Sequence, residues 1–139
     1  MKQLKRGPKS LRFNWVKAPD IKKRTIHLVK SLGMTWITSN RIFFYRSYGS
    51  KTRAYARTWG LPKIWQESLG VSPSCIIEVL SSHFDDLSQS QKDKILIHEL
   101  THIPKNFSGA LLPHIRRGKR SFHKKVDDLI TRYLENFKE

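Results

Sequence analysis

A chain of 139 residues is the size of one ordinary domain and can bury a core without staples of disulfide or metal. Its single cysteine, Cys75, excludes an internal disulfide and any cysteine-based zinc cluster, so a bound metal must be held by His, Asp or Glu. The net charge of +16 is concentrated early, with 16 Lys and Arg against only Asp20 and Glu67 in residues 1 to 70, an imbalance that predicts an anionic partner, nucleic acid above all.

Residues 1 to 17 combine many cations with a Gly7-Pro8 break and read as a basic arm preceding a domain over 18–139. No apolar signal core follows the basic start, and nothing approaches the roughly 18 apolar residues of a membrane span. A cytoplasmic protein with no membrane partner is therefore expected. Pro19-Asp20 can open an amphipathic helix through Ile21, Leu28, Val29 and Leu32, with Gly33 placed to end it. Trp36-Ile37 and Arg41 to Tyr45 flank the polar run Thr38-Ser39-Asn40, a pattern that predicts a β-hairpin. Arg46 to Arg57 mixes cations, aromatics and small residues and is ambiguous, whereas Pro62 can start a short helix reaching Leu69.

Ser74 to Leu80 has the length and β-branched content of a strand. Ser88-Gln-Ser-Gln91 fits a capping box, opening a helix that runs to about Ile103 and stops because Pro104 restricts the residue before it. A loop is expected from Asn106 to Gly118. Ser121 is then expected to cap a last helix in which Phe122, Val126, Leu129, Tyr133 and Phe137 form one apolar stripe.

Within the helix that starts at Ser88 lies His98-Glu99-Leu100-Thr101-His102. Residues four apart sit one turn above each other, so His98 and His102 project from the same face and can hold one divalent ion. The carboxylate beside the first histidine suits a general base that takes a proton from a water acidified by the ion. The plain alternative is a helix with two hydrogen-bonded histidines and an exposed Glu99. A catalytic zinc needs a third protein ligand, and His114 is the first candidate: Ser108-Gly109 lets the chain turn back, and Pro113 stiffens the approach. His123, with Asp127 one turn further on, is the alternative ligand. His27 and His83 lack such company and read as structural, and Cys75 as a small core residue.

Ile97 to Pro104, followed by Phe107-Ser-Gly109 and Leu112-Pro-His114, resembles the archaeal predicted zinc metallopeptidases, a family related in motif to the phage metallopeptidases. The likeness covers about residues 41 to 130, including Arg46-Ser47, Gly49-Ser50, Trp59 to Pro62 and Phe122-His123. It implies an α+β, zincin-like single domain with an active-site helix, a small antiparallel or mixed sheet and a C-terminal helix. It also implies zinc at His98 and His102, completed by His114, with Glu99 as catalytic base. In such folds the strand before the active-site helix borders the cleft, so the Ser74 to Leu80 edge is expected to pair with a peptide substrate.

Lys5, Arg6, Lys9, Arg12, Lys22, Lys23, Arg24, Arg46, Lys51, Arg53 and Arg57 supply phosphate-binding charge, and Arg116, Arg117, Lys119 and Arg120 add a second cluster after His114. Trp36, Phe43, Phe44, Tyr45, Tyr48, Tyr55 and Trp59 are interleaved with the first group. They can stack on bases or turn inward as core. Two functions result: a zinc peptidase with a nucleic-acid-associating surface, or a non-enzymatic RNA-binding protein, such as a ribosome-associated one, that keeps a structural metal site.

Overall fold

The computed structural model describes residues 12–113 and 119–136; for 119–125 only the backbone is described. Strand β1 (Asn14–Lys17) leads into helix α1 (Pro19–Ser31), where Pro19 sits in the first turn, its missing N–H costing nothing there. The helix ends at Gly33, whose φ of 65° suits glycine. The amides of Gly33 and Met34 close back on the carbonyls of Lys30 and Val29, at 3.3 and 3.0 Å, which satisfies the last turn. There follow β2 (Ile42–Tyr48), β3 (Ala56–Trp59), α2 (Lys63–Leu69), β4 (Cys75–Leu80), a single turn α3 (Ser81–Phe84), α4 (Gln89–Leu100) and α5 (Lys119–Asn136).

The four strands form one mixed sheet in the order β1-β2-β4-β3. β2 and β4 run parallel in the centre, with Phe44 opposite Ile77, while β1 and β3 add antiparallel at the edges. The fold is thus α+β, a single small mixed sheet with a C-terminal helix, as expected. One sheet face carries Ile42, Phe44, Ala56, Cys75, Ile77 and Val79 into a core shared with Leu28 of α1, Leu96, Ile97 and Leu100 of α4, and Leu129 and Tyr133 of α5. Each fully buried Leu or Ile contributes roughly 1.5–3 kcal/mol relative to exposure. No described helix is long and apolar enough to cross a membrane.

Three expectations fail. Trp36-Ile37 is not a strand and there is no hairpin: Met34 and Ile37 plug the core, and local turns, among them Arg41 N–H to Thr38 O at 2.9 Å, absorb the backbone groups. Both sides of β2 are already taken by β1 and β4, and β1 lies in the segment read as an arm, whose residues 1 to 11 are outside the described set. β4 is an interior strand and offers no edge to a substrate; the edge beside it is β3. The last helix starts at Lys119, so Ser121 lies inside it and is not its cap. Lys and Arg are good helix formers and extend it backwards.

Candidate metal centre

Helix α4 opens with the predicted capping box: the Gln91 amide donates to Ser88 Oγ at 3.2 Å and the Ser88 amide to Gln91 Oε1 at 3.1 Å. It is buried on several sides, between α1, α5 and β3, and its final turn tightens. The His102 amide bonds Glu99 O at 3.1 Å, a 3₁₀-type closure at the residue before Ile103-Pro104. The helix stops at Leu100, three residues before the end expected at about Ile103.

His98 and His102 project together, ring centroids 5.2 Å apart and planes inclined by 78°. One ligand atom from each of His98, Glu99 and His102 lies within 4.8 Å of the others. His102 Nδ1 stands 2.6 Å from the Leu112 carbonyl oxygen. That oxygen can only accept, so Nδ1 carries the proton and the lone pair is left on Nε2, the tautomer a metal ligand requires. The Leu112 amide bonds back to His102 O at 2.7 Å, fixing the returning loop onto the helix end. Two half-buried imidazoles with a carboxylate between them suit a divalent ion with affinity for nitrogen, zinc among them, better than the oxygen-seeking Mg²⁺ or Ca²⁺.

Glu99 is buried, at 8% exposure, and is not the exposed helix former of the plain alternative. The Thr58 hydroxyl on β3 donates to its Oε1 at 2.7 Å. Burial pushes the Glu99 carboxyl above its ordinary range, against the opposing pull of the Thr58 hydrogen bond. The family model PhageMetallopep, described as "Putative phage metallopeptidase", matches residues 13–132. The chain belongs to this metallopeptidase family. No curated protein and no solved structure matches.

For this family member, the third-ligand candidate His114 lies outside the described residues, and of His123 only the helical backbone is described. His27 is exposed on α1, and His83 packs edge-on against Tyr55, centroids 6.2 Å apart. Three arginines assigned to phosphate are engaged by carboxylates: Arg24 with Asp93, Arg46 with Asp85 and Asp20, and Arg57 with Glu78. Arg12, Lys22, Lys23, Lys51 and Arg53 are exposed. Lys5, Arg6, Lys9, Arg116 and Arg117 fall outside the described residues, as do the side chains of Lys119 and Arg120.

Sequence reasoning missed Thr58 and the Leu112 clamp. Thr58 meets Glu99 only through the pairing of β3 with β4 and the packing of α4 across it, and no local spacing encodes that register. Leu112 had a faint signal: Gly109, with φ of 96°, sends its carbonyl to the Leu61 amide at 2.8 Å, so the glycine expected to turn the chain does so beside the β3 exit.

Proposed function

We propose that the chain is a zinc-dependent peptidase of the zincin type, with His98, His102 and His114 as ligands and Glu99 as general base. The observation that carries this reading is the joint setting of His98, Glu99 and His102, with His102 Nδ1 already committed to a backbone carbonyl. His114 follows Leu112 by two peptide units, which span at most about 7 Å. The two hydrogen bonds that hold Leu112 to His102 support His114 as the third ligand.

Zinc, when bound, would acidify a water and polarise a peptide carbonyl as a Lewis acid. The chain's own groups do the rest. Thr58 holds Glu99 Oε1, leaving Oε2 to accept a proton from the attacking water and pass it to the leaving amine. Burial, which raises this carboxyl, makes it a stronger proton acceptor than an exposed one. The substrate backbone is assigned to the free edge of β3, by strand addition next to Glu99. The excess of cations in residues 1 to 70 supports a nucleic-acid partner, RNA in the first instance, beside which a protein is cleaved.

Elemental analysis and peptide cleavage together test the reading. Glu99→Gln is expected to keep its zinc and lose cleavage, His98→Ala to lose both, and His114→Ala to bind zinc more weakly by about 10-fold or more. Undiminished cleavage in Glu99→Gln removes the proposed base, and wild-type protein that takes up no divalent ion removes the metal site. Zinc uptake without cleavage by any variant would favour the RNA-binding reading with a structural ion.

A further inference from the structure

Helices α1, α4 and α5 share the core with one face of the sheet; on the other face Ser47, Glu78 and Leu80 are buried, while Trp15, Phe43 and Trp59 stay exposed. Strand register decides what that face displays. Trp15 lies opposite Ser47, Lys17 opposite Tyr45, Phe43 opposite Ile76, and Arg57 and Trp59 opposite Glu78 and Ile76, so all of these point away from the core. Aromatic rings on an outer face are unexpected for a sheet that merely meets water, yet Trp15, Phe43 and Trp59 are 53%, 43% and 44% exposed. A depression of about 410 Å³ opens between Trp15, Tyr45, Trp59 and Ile76. A second, of about 380 Å³, lies at the edge of β2, between Phe43, Tyr45 and Lys17 on one side and the start of α1 at Pro19 and Lys22 on the other.

Charge identifies the occupant. Glu78 is the one acid that β1 to β4 place on this face; it is fully buried and held by Arg57 at 2.9 Å and by the Trp59 indole at 2.8 Å. Cations border the rings instead: the Arg41 guanidinium lies 5.5 Å from the Phe43 centroid and that of Arg57 lies 5.3 Å from Trp59. Lys17 and Lys22 stand at the rim. Exposed rings with neighbouring cations fit a polymer offering flat bases and phosphates together. Paired bases hide their faces inside the duplex, so the polymer must be single-stranded.

We propose that the exposed aromatic part of this outer face is a stacking platform for single-stranded nucleic acid, with bases on Trp15, Phe43 and Trp59 and phosphates along Lys17 and Lys22. The proposal rests on the nucleic-acid part of the function above and gives it a place. β3 then serves two surfaces: Thr58 turns inward to Glu99 while Arg57 and Trp59 face the nucleic acid.

Full-length protein is titrated into fluorescein-labelled 12-nucleotide RNA and DNA strands and into a duplex of equal length, following anisotropy and tryptophan emission. Single strands are expected to quench the emission and to bind more tightly than the duplex. Trp15→Ala/Phe43→Ala, both exposed positions, is expected to weaken single-strand binding by about 10-fold or more and to leave duplex binding unchanged, with circular dichroism confirming the fold. Lys22→Gln/Lys23→Gln should weaken both and flatten the salt dependence. Single-strand binding undiminished in the aromatic variant, or a duplex bound as tightly as a strand, overturns the platform while leaving phosphate-driven association in place. No binding of any oligonucleotide by the wild type overturns both, and leaves the face to a different partner.

Discussion

Thr58 and Glu99 meet across a strand and a helix, and their 2.7 Å hydrogen bond is the contact that orients the proposed base. Thr58→Val keeps the shape but leaves a buried carboxylate oxygen without its donor, a loss of about 1–3 kcal/mol. Under the peptidase reading kcat is expected to fall by about 10- to 100-fold with zinc content unchanged, and Thr58→Ser to restore most of it. A valine variant as active as wild type removes Thr58 from the site. The histidines and Glu99 were legible in the sequence because i, i+4 spacing on a helix is local geometry. Thr58 was not, because its partner is 41 residues away.

The loop between α4 and α5 depends on Gly109. At φ of 96° a side chain is strained, and an added Cβ would stand 2.6 Å from Leu61 O and overlap the Gln66 amide. Gln66 is itself needed there, donating to Leu61 O and Ser108 O at 2.8 Å each. Gly109→Ala is expected to destabilise the fold by about 1–3 kcal/mol in urea titrations and, under the peptidase reading, to weaken zinc binding because the loop carries Leu112. Equal stability and equal zinc affinity would mean the loop relaxes freely. Elements with their own stop and start signals were readable in advance: α1 from Pro19 and Gly33, α4 from Ser88 and Gln91, and β4 from its β-branched run. The edge strands were not. β1 and β3 are four residues each, too short to show alternation, and the false hairpin arose because Trp36 reads as a strand former. Its indole instead donates to Ile103 O at 3.2 Å, pinning the chain just past the metal helix.

Across the molecule, three helices meet at one buried carboxylate. Asp93 of α4 receives both Nε and Nη2 of Arg24 from α1, at 2.9 and 2.6 Å, together with Gln89 and the Tyr133 hydroxyl of α5 at 2.8 Å each. Burial raises the Asp93 carboxyl, but the hydrogen bonds from Arg24, Gln89 and Tyr133 outweigh it and hold the group below its ordinary 3.8. A depressed carboxyl stabilises the fold fully above its unfolded value and loses that contribution as pH falls through the lower folded value. Arg24→Met leaves the charge buried without its cation and is expected to cost about 3–5 kcal/mol at pH 7. Asp93→Asn should cost less, since the Arg24 side chain is 32% exposed and can turn to water. Urea titrations from pH 7 to pH 3 should show the gap between wild type and Arg24→Met narrowing as pH falls, from the point where the carboxyl without Arg24 takes up its proton. A gap constant with pH would show that Asp93 does not titrate with folding.

The four residues of β3 alternate between two duties, Ala56 and Thr58 facing the helices and Arg57 and Trp59 facing away. A slip of one position along β4 would exchange the two sets, aiming a guanidinium at Glu99 and a hydroxyl at the solvent. The protein can therefore diversify here by replacing side chains, whereas gaining or losing a single residue within the strand would silence the inner and outer surfaces in one event.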